Sequence, residues 1–133
     1  MEAGNSTLFT AIKSRLGWLG KRQEVIAQNI ANSDTPNYKS RDLKPYKFSD
    51  MVRTSGKTLQ LDANGPGHLG GRRVREADFK PKDDRLPFET SPNGNSVILE
   101  EQMAKLNETG LAHRLTNQLY KKHLTMIRMA IGK

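Results

Sequence analysis

The distribution of proline constrains the fold of this chain more than any other feature of its sequence. All six prolines lie between positions 36 and 92, and a glycine-rich run at 65–71 falls within the same span. Proline interrupts the interior of a helix, so long helices are confined to the two ends of the 133-residue chain. We therefore expect one domain in three segments: an N-terminal helix within 1–33, an extended middle segment over 34–94 and a C-terminal helix within 95–133.

The N-terminal segment spaces its apolar side chains as an amphipathic helix does. Ser6 or Thr7 can cap a helix of roughly 25 residues. The sequence NSDTP at 32–36 ends it, because the residue before a proline is disfavoured in the helical region, and Asn37 is a candidate for positive φ. The apolar positions form one stripe: Leu8, Ile12, Leu16, Leu19, Ile26 and Ile30.

The C-terminal segment predicts a longer helix. The turn sequence NGNS at 93–96 precedes it, Ile131 is its last apolar position, and Gly110 is the only break signal inside it. Its main stripe has eight members: Leu99, Met103, Leu106, Leu111, Leu115, Leu119, Met126 and Met129. A second apolar edge near the end makes the last turns apolar over much of their circumference: Tyr120, Leu124, Ile127 and Ile131.

The two stripes together predict a mainly α fold, with long terminal helices packed as a coiled-coil-like hairpin and a middle segment holding one or two short β-strands, for example at 58–62. We expect Ile12, Leu16, Leu19, Ile26 and Ile30 to pack against a second set, within one subunit or across subunits: Met103, Leu106, Leu111, Leu115 and Leu119. A self-contained helical hairpin is the alternative. Pairing the helices leaves much apolar surface uncovered, so we expect other chains to complete these ends.

The charge of +8 raises the possibility of a basic helical nucleic-acid-binding protein. The excess is spread evenly, however, as +3 over 1–50, +2 over 51–94 and +3 over 95–133. Two local basic features remain, the arginines at 72, 73 and 75 and the acid-free stretch after Glu108. The even spread favours a solvated surface, and salt-dependent retention on DNA would separate the two interpretations.

Catalytic and metal chemistry find little support in the sequence. The chain has no cysteine, and its three histidines, His68, His113 and His123, are not spaced to converge on a metal ion. The glycine-rich run lacks the Gly-Lys-Ser/Thr that ends a phosphate-binding loop. We expect no enzyme, no cofactor and no bound metal. No apolar run is long enough for a transmembrane helix or for the core of a secretory signal.

Residues 22–39, RQEVIAQNIANSDTPNYK, resemble the N-terminal signature of bacterial flagellar axial proteins and, among these, of the proximal rod proteins of the basal body. NGNSV at 93–97, followed by Leu99, Met103 and Leu106, resembles the start of the second helix in the same proteins. Two positions depart from the pattern: Asn37 stands where the family usually has glycine, and Ile98 where it tends to have aspartate. Asparagine tolerates the left-handed turn.

The resemblance implies a structural subunit of the proximal rod, required for flagellum assembly and motility, that polymerises through its terminal helices around the export channel and transmits torque. It also implies export without a cleaved signal into the periplasmic part of the basal body. The implied partners are the chain itself, other rod proteins, proteins of the junction with the inner-membrane ring and the export apparatus, with no nucleic acid. Five residues would fix the exit of the first helix: Asn29, Asn32, Thr35, Pro36 and Tyr38. A neighbouring rod protein remains an alternative.

Overall fold

The computed structural model describes residues 7–50, 79–85 and 87–132. The chain forms two compact units, one made of 1–46 with 79–133 and the other of 47–78. The second unit is described only at 47–50, where 48–50 are helical. The strand predicted near 58–62 and the arginines at 72, 73 and 75 lie outside the described residues.

The first unit contains two long helices and one small sheet. Helix α1 is Thr7–Ala31, strand β1 is Arg41–Leu43, strand β2 is Pro81–Asp83, and helix α2 is Leu99–Ile131. The strands pair antiparallel with Arg41 opposite Asp83, and Arg41 Nε donates to Asp83 Oδ1 at 3.0 Å across the pair. These elements confirm the predicted mainly α class with long terminal helices and a short sheet between them.

Helix α1 buries two faces. The predicted stripe provides the first, with Ile12, Leu19 and Ile26 buried and Leu16 and Ile30 half-buried. At the start of the stripe, Phe9 is buried in place of the predicted Leu8, which is exposed. The second buried face packs Trp18, Leu19 and Val25 against Leu43 of β1, with further cover from half-buried neighbours: Tyr46, Phe79 and Ala112.

Helix α2 begins at Leu99, three residues after the end of the turn sequence at 93–96. Ile98 occupies the N-cap position and makes no capping bond from its side chain, as expected where an apolar residue replaces a capping one. Glu100 and Glu101 lie in the first turn, where carboxylates interact favourably with the helix dipole. The helix ends at Gly132, whose φ of 77° is left-handed, and it continues unbroken through Gly110.

The two helices pack antiparallel, because successive contacts run in opposite directions along them. Asn29 near the end of α1 bonds Gln102 near the start of α2, and Phe9 near the start of α1 contacts the rings of Tyr120 and His123, with centroids 5.5 and 5.0 Å away. The fully buried positions of α2 are a polar set at seven-residue spacing: Gln102, Thr109 and Thr116.

This polar set corrects the expectation for packing within one subunit. Met103, Leu111, Leu115 and Leu119 are exposed, and Leu106 is half-buried. The two threonines satisfy their buried hydroxyls by donating to backbone carbonyls four residues earlier, at 2.7 and 2.8 Å. Packing of these leucines across subunits stays a prediction.

Among the described residues, neither helix is long and apolar enough to cross a membrane. Within the same ranges, no three histidine or acidic side chains converge in a way that could hold a metal ion.

Candidate subunit interface

The exit of α1 and the start of α2 are held together by a hydrogen-bonded junction, formed by residues 29–41 and 91–102, which we call the clamp. Asn29 is its centre and is fully buried. Its Nδ2 donates to Arg41 O at 2.7 Å and to Gln102 Oε1 at 2.9 Å. Its Oδ1 accepts from Arg41 N at 3.0 Å and from the hydroxyl of Tyr38 at 3.2 Å. One asparagine thus connects α1, the chain entering β1, and α2.

Asn95 is the second buried asparagine of the clamp. Its Nδ2 lies 2.8–2.9 Å from three carbonyl oxygens in the turn after α1: Asn32, Ser33 and Thr35. Asn95 thus ties the chain that leads into α2 to the turn after α1, across some 60 residues of sequence. Its Oδ1 also accepts from Val97 N at 2.7 Å.

Backbone contacts close the clamp between Asn37 and Gly94. Asn37 has a φ of 59°, which confirms the predicted left-handed turn, and its N donates to Asn93 O at 3.0 Å. Gly94 has a φ of 81°, and a Cβ built there would fall on Asn37 Oδ1. Glycine is therefore needed at 94 both for its backbone conformation and for its lack of a side chain.

We expect Gly94→Ala to lower the free energy of unfolding by about 2–4 kcal/mol, the sum of left-handed strain and the clash with Asn37. In an Asn37→Gly background the clash is gone, so the same change should cost only about 1–2 kcal/mol. Urea unfolding followed by circular dichroism measures both values. An equal cost in the two backgrounds would contradict the contact.

An ionic network reinforces the junction next to the clamp. The Arg22 guanidinium donates from Nε and Nη2 to the two carboxylate oxygens of Asp42 at 3.1 and 3.2 Å, and lies 5.4 Å above the ring of Trp18. Lys105 of α2 is 3.9 Å from Asp42 and also pairs with Glu101 at 2.6 Å. Since the Arg22 and Asp42 side chains are mostly buried, this bidentate pair is stronger than an exposed one.

The side of α2 away from the buried polar set carries what we call the leucine stripe, five exposed side chains on one face: Leu111, Leu115, Leu119, Met126 and Met129. The three leucines are 70, 63 and 54% exposed. Spacings of four, four, seven and three residues keep all five on one side of the helix. Apolar side chains exposed along one face in this way are typical of interaction surfaces.

The structure divides the residues predicted for subunit packing into three groups. The apolar residues of the α1 stripe in this set are buried or half-buried within the chain. Asn29, Asn32 and Tyr38 belong to the clamp, while Thr35 and Pro36 form its exposed outer turn. The predicted α2 residues other than Leu106 are exposed.

Sequence reasoning missed the partners of these residues on the far side of the clamp. The sequence pattern places Asn95 only in a turn, and it gives Gln102, Thr109 and Thr116 no role. Their seven-residue spacing was the available signal, but polar residues are an unusual choice for a buried seam.

Comparison with known proteins extends this description. Residues 14–39, from α1 through the first part of the clamp, match the family of flagella basal body rod proteins. Across nearly the whole chain, the flagellar basal body rod protein FlgB of Agrobacterium fabrum is 31% identical over 129 residues, which cover 95% of this chain and 93% of that protein. The chain belongs to the FlgB family of flagellar basal body rod proteins.

Two further FlgB proteins match a smaller part of the chain. FlgB of Proteus mirabilis is 37% identical over 93 residues, 65% of this chain and 64% of its own length. FlgB of Salmonella typhimurium is 30% identical over 104 residues, 71% of each chain. As a FlgB-family member the protein is a structural subunit of the rod and is located in the basal body. Its relatives are structural rod proteins, in keeping with the expectation that it is no enzyme.

Proposed function

We propose that this FlgB-family protein polymerises through its two terminal helices, together with other rod proteins, around the flagellar export channel, and so transmits torque through the proximal rod. It reaches the periplasmic space through the export apparatus without a cleaved signal and meets the junction with the inner-membrane ring there. Membership of the family supports this proposal over the nucleic-acid-binding alternative, and the FlgB relatives support it over a neighbouring rod protein.

The leucine stripe is the observation that supports polymerisation through the helices. The intramolecular seam uses the polar face of α2 and leaves the most apolar face uncovered. Fully burying one leucine side chain contributes about 1.5–3 kcal/mol, so covering the exposed parts of several on this face stabilises an assembly. The apolar residues predicted for subunit packing on α2 are available for this purpose.

The clamp supports the transmission of torque. It bonds α1 to α2 through side chains rather than through a flexible loop, and the ionic network of Arg22 and Asp42 ties both helices to β1. Force applied to one helix therefore passes to the other through short, buried contacts. In this proposal five residues at the exit of α1 fix the relative orientation of the two helices: Asn29, Asn32, Thr35, Pro36 and Tyr38.

The test replaces a stripe residue in cells whose only copy of the gene encodes the variant. Leu115→Asp places a charge in the assembled contact while leaving the hairpin seam intact, so we expect loss of rods and of swimming in soft agar, with export still detected in the periplasmic fraction. Lys121→Asp puts the same side chain on an exposed position of another face and should swim normally. Wild-type swimming of Leu115→Asp would overturn the proposal.

A further inference from the structure

The three leucines of the stripe and the two charged residues that flank them have the same spacing in both chain directions. Glu108, Leu111, Leu115, Leu119 and Lys122 follow one another at spacings of three, four, four and three residues. An acid stands at one end of this five-residue set, a base at the other, and Leu115 at the midpoint. All five side chains are exposed.

The five residues also share one side of α2. Glu108, Leu115 and Lys122 are seven residues apart, close to two helical turns, and the other two leucines lie four residues on either side of the midpoint. Within the part of the chain that the structure describes, the Glu108 carboxylate makes one ion pair, a long one of 3.9 Å to Arg22, and its side chain is 72% exposed. The carboxylate is therefore open to a second partner.

We propose that the free protein forms a dimer in which two copies of α2 pair antiparallel along this set, with Leu115 on the two-fold axis. Leu115 then packs on its own counterpart, and Leu111 of each copy packs on Leu119 of the other. Glu108 of each copy faces Lys122 of the second, so that both ends of the contact carry opposite charges.

The charges select this arrangement over parallel ones. In a parallel pair in register, Glu108 would face Glu108 and Lys122 would face Lys122, and like charges in direct opposition destabilise a contact. A parallel pair shifted by fourteen residues would bring Glu108 beside Lys122, but it would move the three leucines out of contact with each other. Only the antiparallel pair joins opposite charges and covers all three leucines at once.

This dimer goes beyond the proposed rod packing. A two-fold contact uses the same patch on both copies and is complete after two, so it does not extend into a filament. It covers the three leucines of the stripe in the free protein and competes with the assembled contacts for the same surface. Incorporation into the rod then requires the dimer to open.

Cysteine cross-linking tests the geometry, since the chain has no cysteine of its own. We expect Leu115→Cys to form a disulfide-linked dimer on mild oxidation. A mixture of the Glu108→Cys and Lys122→Cys proteins should cross-link to each other and not to themselves. Self-linking of the Glu108→Cys protein would show parallel pairing in register, and a Glu108–Lys122 cross-link without the Leu115 one would show the shifted parallel pair; either result overturns the proposal.

Charge exchange tests the energetics by sedimentation equilibrium of the purified full chain. Lys122→Glu should weaken the dimer about tenfold, because two opposite-charge pairs become two like-charge pairs. Adding Glu108→Lys should restore most of that loss. Lys121→Glu, the same charge change on the neighbouring exposed residue of another face, should leave the dissociation constant unchanged. Equal effects of the two lysine variants would overturn the proposed pairing.

The proposal and the proposed function fail differently. If the wild-type chain stays monomeric at every concentration, the dimer proposal is wrong. Loss of rods in Leu115→Asp would still support assembly through the stripe. Conversely, if the wild-type chain forms a stable dimer and Leu115→Asp swims normally, the dimer proposal stands and the proposed rod contact is wrong.

Discussion

Asn29→Ala is expected to lower the free energy of unfolding by about 3–5 kcal/mol. The change removes four hydrogen bonds made by one fully buried side chain and leaves the peptide groups of Arg41 and the amide of Gln102 without these partners. An unpaired buried polar group costs about 1–3 kcal/mol, and the cavity adds to this. Urea unfolding monitored by circular dichroism at 222 nm measures the loss.

Gln28→Ala is the matched control for that variant. Gln28 precedes Asn29 on the same helix, is exposed, and makes only a long side-chain contact with Glu24 at 3.4 Å. Its replacement should change stability by less than about 0.5 kcal/mol. A double-mutant cycle with Gln102→Ala should give a coupling energy of about 1–3 kcal/mol with Asn29. Additive losses would contradict a direct bond between the two amides.

Asn95→Ala should lower the free energy of unfolding by about 2–4 kcal/mol, because the turn after α1 loses the two N–H donors of a buried amide and the N–H of Val97 loses its acceptor. Asn93→Ala is the comparison two residues away. The Asn93 side chain accepts one bond, from Asn95 N at 3.1 Å, and its loss should cost less than about 1 kcal/mol. Similar losses in the two variants, measured by the same unfolding experiment, would contradict the bridging role of Asn95.

The N-terminal helix was predictable because its apolar residues recur at helical spacing and are the residues that the fold buries. Ile12, Leu19 and Ile26 are apolar, follow helical spacing and are buried where that spacing places them. The stop at 32–36 and the left-handed Asn37 follow from local backbone preferences of proline and asparagine. These signals act over a few residues, so a single sequence contains them.

The face of α2 that meets α1 was not predictable in the same way. Leu111, Leu115 and Leu119 give the stronger periodic signal, yet Thr109 and Thr116 occupy the seam. The spacing of apolar residues indicates which side of a helix avoids water in the final assembly, and it does not distinguish a partner in the same chain from one in another. The polar face can occupy the seam because its buried groups are hydrogen-bonded: Gln102 accepts from Asn29, and both threonine hydroxyls donate to carbonyls of their own helix.

The clamp was predictable as two turns and not as one structure. The sequences at 32–37 and 93–96 both indicate turns, but the bond between Asn37 and Asn93 joins residues 56 positions apart. Which amide of an asparagine-rich segment meets which carbonyl depends on the relative placement of the two helices. The same holds for the bond between Asn29 and Gln102, which are 73 positions apart in the sequence.

The docking of Trp18 gives this chain a built-in optical probe. Trp18 is its only tryptophan, and the indole is buried on the face of α1 that covers β1, with Nε1 donating to Lys44 O at 2.9 Å. Its fluorescence therefore reports whether the segment after the clamp is seated on α1, whereas ellipticity reports the helices themselves. Recorded together during growth of a rod, the two signals would show whether that segment docks on α1 before or after the helices form.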